Sequence, residues 1–439
     1  MDVLIMAGQL ILGLSILVGL HELGHLLTAK MFGMRVEKFS IGFPPTIFKV
    51  QYGETEYAIG AIPLGGFVKI SGMIDESMDK EFLDKAPEPW EFRAKPAWQR
   101  LIVMLGGIIV NVITGIAIFV VLTYTRGEEF IPASKAEYGI VAHEVGEKIG
   151  LRTGDKIINI NGKPFERFSD IKSGEVLLSS NAFYTVVREG KEVRIDIPND
   201  LMDDLADRKK AFIDDLPVTK DFQILEIAAG SPAEKAGLQS QDLIVAVNDQ
   251  PVAFYHELQQ RLLAAAGEEA RLKVQRGEET VELKATIGPD GKLGFVPTFV
   301  QSLFVHRDFG LGESVSKGTA DAFGIVFDNI KGFGKIFRGE VSASKSLSGP
   351  IGIGKVYGSV WIWSKFWYIT GMLSMILAFM NFLPIPALDG GHVMFISYEM
   401  ISGRKLSDKF LENSQKVGMV LLLCLMVFAV FNDIFKAIF

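Results

Sequence analysis

Residues 3–25 read VLIMAGQLILGLSILVGLHELGH: an uncharged apolar run, 3–20, that passes without a break into His21-Glu22-Leu23-Gly24-His25. A helix needs about 20 predominantly apolar residues to cross a bilayer, so this stretch predicts a spanning helix that ends on two histidines and a glutamate. Residues four apart lie on one helical face, and His21 and His25 can therefore point at one ion. Glu22 can reach a water at that ion and act as general base. Ionisable groups in a span are costly and by default mark a functional site. A cleaved signal peptide needs a basic start, and only Asp2 precedes the run.

The rest of the chain has the same character at its ends. Hydrophobic residues make up 49 % of its 439 positions, and they collect toward the two termini, while the middle reads as water-exposed sequence. Three further uncharged stretches follow, at 101–125, 366–388 and 417–432. Four spans are expected, in segments 1–30, 98–126, 365–397 and 416–439, giving an α-helical polytopic membrane protein. Basic residues crowd the segment 31–97 and the short loop 398–415, which makes both cytoplasmic by the positive-inside rule. Both termini and the long middle insert then lie outside, with Trp361, Trp363, Trp367 and Tyr368 at the outer edge of the third span. A net charge of -7 gives no reason to expect nucleic acid. Cys424 is the only cysteine, so an intrachain disulfide and a cysteine-based metal site are both excluded.

Catalytic zinc usually takes three protein ligands and leaves a position for water. The run Asn381-Phe382-Leu383-Pro384-Ile385-Pro386-Ala387-Leu388-Asp389-Gly390-Gly391-His392 supplies candidates for the third. Two prolines break a span, which is tolerated where the freed groups face protein or a cavity. The topology places Asp389 and His21 at matching depth, near the cytoplasmic ends of their spans. Asp389 is therefore the preferred third ligand, with His392 as its rival. The ligand types make zinc the expected ion.

On these residues the sequence resembles the site-2 protease family of intramembrane zinc metalloproteases, and within it the RseP group. The motifs are HELGH at 21–25, LDGG at 388–391 with Asn381 upstream, and Ser71-Gly72-Met73. The resemblance covers essentially the whole chain. It implies that His21, His25 and Asp389 hold Zn2+, that Glu22 activates water, and that Asn381 holds the substrate backbone or the reacting carbonyl. The run Gly106 to Asn111 lacks the family's proline, so Asn111 is either a second substrate or oxyanion contact or a buried interhelical hydrogen-bonding residue. Implied partners are the bilayer of the inner membrane and single-span membrane proteins already trimmed outside, such as anti-sigma factors, or remnant signal peptides.

Within 31–97, apolar and polar residues alternate from Arg35 to Ser71, with breaks at Pro44-Pro45, Gly53 and Pro63, as in short strands. The resemblance implies a re-entrant β element there. A peptide bond in a helix is protected from attack, and an exposed strand edge can hold a substrate in extended form. The middle insert repeats itself: Gly150-Leu151, Asp155, Ile157, Asn161 and Pro164 match Gly237-Leu238, Asp242, Ile244, Asn248 and Pro251 at a constant offset. The stretch SPAEKAGLQSQDLIVAVN at 231–248 looks like a PDZ domain of bacterial proteases, which predicts tandem PDZ domains at 127–212 and 213–288. Such domains take peptide tails by strand addition or exclude bulky ectodomains. His143 and His256 read as surface histidines.

Segment 289–364 contains Phe323, Phe327, Ile330, Phe333 and Phe337 at helical spacing, either in the membrane interface or packed as a core helix. Two other function classes compete. A membrane PDZ scaffold with structural zinc would need a fourth protein ligand or a missing base. A transporter would explain the prolines but neither HExxH nor the repeat.

Overall fold

A computed structural model describes residues 2–73, 86–206, 210–220, 222–346 and 348–438. The chain forms two compact units, one of residues 1–127, 308–330 and 347–439, the other of residues 128–307 and 331–346.

The first unit is built on helices. α1 (Asp2–Met31) runs straight through the histidine motif. α2 (Ala97–Arg126) begins after Pro96, whose fixed φ suits a helix entrance, and ends at Gly127, φ 61°. α3 (Leu311–Phe337) belongs to this unit as far as Ile330. α4 (Pro350–Tyr357), α5 (Trp363–Phe382), α6 (Asp389–Ser402) and α7 (Asp408–Ile438) complete it. Among the described residues α1, α2 and α7 are long and apolar enough to cross a membrane. The stretch 366–388 is interrupted, as its two prolines lead one to expect. α5 stops at Phe382, Pro384 and Pro386 remove the donors a continuing helix needs, and a new helix begins at Asp389.

Leu26, Ala29, Met34, Val36, Val103 and Met104 pack together, and Leu10, Leu17, Tyr357 and Phe366 form a second cluster. α1 and α2 touch backbone to backbone where Gly24 meets Gly106. A Cβ on Gly24 would lie 2.3 Å from the Gly106 carbonyl oxygen, the kind of approach that small residues permit between membrane helices. Phe119 of α2, Ala322 of α3 and Met375 of α5 form a third cluster. The amphipathic stretch is thus a helix packed in part against other helices, with Phe327 and Ile330 exposed. The Gly349-Pro350-Ile351-Gly352 run is held by buried Asp433 of α7, which accepts from Gly349 N at 2.9 Å and Gly352 N at 2.8 Å. A carboxylate is well placed there, because the first turn of a helix has unpaired donors and a positive dipole end.

The alternating stretch forms β1 (Val36–Tyr52) and β2 (Thr55–Ile70), which bend into several short strand segments, as expected. Each folds back within the sheet. Ile41 pairs with both Ile59 and Gly66, and Phe39 with both Tyr57 and Val68. The order is therefore 48–52, 55–60, 38–41, 66–70, which leaves residues 66–70 on an outer edge. Ser71 ends that edge, donating through Oγ to Glu37 Oε1 at 2.9 Å, while its carbonyl accepts from Phe92 N.

The second unit is a duplication. Lys156–Ile160, Phe183–Arg188 and Lys191–Asp196 form one antiparallel sheet, and Leu243–Val247, Glu269–Arg276 and Glu279–Thr286 repeat it. Each copy closes on a buried aspartate. Arg188 Nε and Nη2 lie 2.7 and 2.6 Å from Asp155, and Arg276 holds Asp242 at 2.8 Å through both nitrogens. The same arginines donate to Gly150 O and Gly237 O, so the network is copied residue for residue. One apolar core, including Leu151, Val186, Leu238 and Leu272, runs through both copies. The second copy extends past the expected end at 288, since Phe295–Pro297 pairs with Ile224–Ile227. In the segment 331–346, buried Lys335 donates to Leu177 O at 3.1 Å and Asn199 O at 3.0 Å. Burial pushes its amine below the usual lysine pKa.

Candidate active site

α1 carries His21, Glu22 and His25, and the first residue of α6 is Asp389. These elements bring three donor atoms together. Asp389 Oδ2 lies 3.1 Å from His21 Nε2 and 3.3 Å from His25 Nε2, and the two imidazole nitrogens are 3.3 Å apart. The rings meet edge to face at an interplanar angle of 84°, so both nitrogens point at one spot. The helix break makes this possible. Ala387 takes a positive φ of 78°, and the chain turns to present Asp389 at the start of a helix.

The arrangement fits a metal ion. His25 Nδ1 lies 2.8 Å from Val103 O. A carbonyl only accepts, so Nδ1 carries a proton, and in the neutral form of the ring the Nε2 lone pair faces Asp389. Asp389 Oδ2 is itself buried with no hydrogen-bond partner. Lone pairs converging in a buried place repel one another unless a cation lies among them. A tetrahedral ion with bonds of about 2.0–2.1 Å sets its ligand atoms about 3.3 Å apart, which matches the observed triangle. Two histidines and a carboxylate are a zinc donor set. Among the described residues this is the one cluster of suitable side chains, and no fourth ligand closes it.

A cavity of about 480 Å³ opens beside the triangle, with Glu22, Phe43, Gly66, Asn381 and His392 in its wall. Asn381, next to last in α5, sits with Nδ2 3.3 Å from His21 Nε2. It faces both ligands and open space, as a substrate contact must. His392 lines the cavity but stands outside the ligand triangle. Asn111 is placed differently from the expectation of a substrate or oxyanion contact. It is wholly buried, it is not part of the cavity wall, and its Nδ2 lies 3.1 Å from His21 Nδ1. A donor for a developing oxyanion must face the space where the substrate sits, and Asn111 faces the back of a histidine.

Two features were not read from the sequence. Gly107 lets α2 approach the histidines. A Cβ there would be 2.5 Å from His25 Nε2 and 2.6 Å from His21 Cε1. The adjacent glycines at 106 and 107 were the available signal. The carbonyl of Val103 has no signal in sequence at all. His143 pairs with Asp214 at 2.7 Å, and His256 stacks on Phe254. Neither belongs to a metal cluster among the described residues.

Residues 9–425 match the family model described as peptidase family M50. A protein of Haemophilus influenzae named regulator of sigma E protease is 30 % identical, over 98 % of this chain and 98 % of its own length. The regulator of sigma-E protease RseP of Salmonella typhimurium is 28 % identical, over 96 % and 97 %. A Vibrio cholerae relative carrying zinc metalloprotease in its name is 28 % identical over the same shares.

Proposed function

The chain belongs to peptidase family M50, and from that premise we propose that His21, His25 and Asp389 hold its zinc while Glu22 is the base of an intramembrane proteolytic site. The observation that carries this reading is the buried triangle of donor atoms with Glu22 in the wall of the adjoining cavity. Zinc, when bound, supplies a Lewis acid that activates water near neutral pH and polarises a carbonyl. Glu22 takes a proton from the attacking water and passes it to the amine as the peptide bond breaks. The Asn381 amide donates to the substrate carbonyl, where negative charge develops. His392, in the cavity wall, is left without an assigned step.

The substrate lies extended along the outer edge of β2 at residues 66–70. That edge has no strand partner among the described residues, and Gly66 belongs to the wall that holds Glu22. Strand addition there exposes a peptide bond that a helix would protect. Substrates are single-span membrane proteins, anti-sigma factors among them. α5 crosses the bilayer as a fourth span, shorter than the others because Pro384 and Pro386 end it. The two copies of the second unit are PDZ domains on the extracytoplasmic side, and the active site opens toward the cytoplasm. A scaffold with structural zinc would close its metal with a fourth ligand, and the described residues offer none.

The test is cleavage of a single-span reporter by purified protein, wild type beside Glu22→Gln, with zinc measured on both. A mutant that keeps zinc and loses cleavage supports the assignment. A mutant that cleaves like wild type overturns it.

A further inference from the structure

Three groups on α2 face the metal-site histidines, and they are spaced four residues apart. The Val103 carbonyl takes the Nδ1 side of His25 at 2.8 Å. Gly107 gives both rings room, since a Cβ would stand 2.5 Å from one and 2.6 Å from the other. Asn111 meets Nδ1 of His21 at 3.1 Å. Positions four apart share a helical face, so a single stripe of α2 backs both imidazoles. Val103 and Asn111 each meet the ring nitrogen that does not face Asp389.

The histidines are not served equally. A carbonyl can only accept, so Val103 fixes the proton of His25 on Nδ1. An amide can do either, and its orientation decides what His21 offers. With nitrogen toward the ring, Asn111 donates to the Nδ1 lone pair, and the His21 proton sits on Nε2, pointing at Asp389. With oxygen toward the ring, it accepts the Nδ1 proton, and the Nε2 lone pair is free for an ion. Asn111 Oδ1 is buried and has no partner, so an acceptor stands unused within one amide rotation of the ring. The backbone of Asn111 is itself anchored, its carbonyl accepting from Ser374 Oγ of α5 at 2.8 Å.

Resting on the zinc-protease reading above, we propose that Asn111 is a positioning residue for the metal site: its amide oxygen accepts the Nδ1 proton of His21 and so holds that ring in the tautomer that binds zinc through Nε2. Asn111 acts through His21 and touches neither substrate nor ion. The role differs from that of an oxyanion donor, which would use the amide nitrogen and face the cavity. Partners of this kind fix the tautomer and ring orientation of a ligand histidine, and so bear on its affinity for the metal.

The experiment measures zinc affinity of the full-length protein in detergent by chelator competition, with the absorption spectrum of the Co2+-substituted form as a second readout. Asn111→Leu removes the acceptor and is expected to weaken zinc by about 10–100-fold. Asn111→Asp keeps an oxygen toward Nδ1 and is expected to restore affinity to within about tenfold of wild type, together with its Co2+ spectrum. Ile113→Ala, at an exposed position of the same helix, serves as the control and should bind like wild type. Because Asp fills the same space as Asn, rescue by Asp separates the hydrogen bond from a folding defect in the Leu variant. Asn111→Leu protein that binds zinc as tightly as wild type overturns the proposal. So does loss of cleavage in both variants at unchanged zinc affinity, which is the pattern of an oxyanion donor. Wild-type protein that binds no zinc overturns the metalloprotease reading, and this one with it.

Discussion

Asp155 is held by Arg188 through two nitrogens, at 2.7 and 2.6 Å, with the carboxylate 1 % exposed. Its counterpart, Asp242, is fully buried under Arg276. Removing the Asp155 carboxylate leaves the Arg188 side chain and the Arg152 amide without their acceptor, which costs about 1–3 kcal/mol. Asp155→Ala should therefore make the second unit much easier to digest in a urea series read by limited proteolysis. Asp196 is paired with Arg194 but mostly exposed, and Asp196→Ala should shift the same curve by under about 1 kcal/mol. Equal shifts would mean that burial does not set the worth of these pairs.

Gly107 should tolerate no side chain. Gly107→Ala places a methyl among the histidine rings and is expected to lower zinc affinity by at least about tenfold, the scale of effect seen when ligand orientation is disturbed. Gly8→Ala, where a Cβ meets nothing within 4 Å, should leave zinc content unchanged. Full zinc occupancy in the Gly107 variant would show that α2 yields at this point.

The cavity edge makes a different prediction. A Cβ on Gly66 would lie 2.7 Å from Ser40 O, 2.9 Å from Val18 Cγ1 and 3.3 Å from Glu22 Cγ. Gly66→Val should cut cleavage of a single-span reporter by about 100-fold, since small displacements in a reacting geometry cost that much. Zinc content should stay at the wild-type level. A loss of zinc instead would place Gly66 in the metal site rather than beside the substrate.

Acid should weaken the second unit through His256. Its Nδ1 is buried without a partner, and burial holds the ring below its ordinary pKa, an effect opposed by Glu257 and Asp214 and reinforced by His143. A histidine with a lowered folded pKa favours folding fully above about pH 6.5, and that contribution is lost as pH falls toward the folded value. The thermal unfolding temperature should fall more steeply as pH drops below about 6.5 in wild type than in His256→Gln. Identical slopes would assign the acid sensitivity to other groups.

Much of the site was legible because its chemistry is local in sequence. His21, Glu22 and His25 lie within one helical turn, and helical geometry alone places both rings on one face. Asp389 needed a second argument, from membrane depth, and the distances agree with it. The break around Pro384 was legible from the two prolines, while the point at which the next helix begins, at Asp389, was not. Asn111 was ambiguous for another reason. Sequence shows that a buried asparagine needs a partner, but the partner here is on another helix, ninety residues away. The duplication was visible from Asp155 and Asp242, whereas Arg188 and Arg276 fall one position out of that register and so escaped notice. The folded-back pairing of β1 and β2 could not be read from alternation, which reports a strand but not how many neighbours it has.

The first helix supplies His21 and His25, and Asp389 arrives only when most of the chain has been made. A ribosome working along this message makes the two histidines within one helix and reaches the aspartate only after the whole second unit has been made. The nascent protein therefore carries no complete cutting site while its own helices enter the bilayer one after another. Within its own chain, the first spans precede a complete donor set, which forms only when α6 comes back to meet α1.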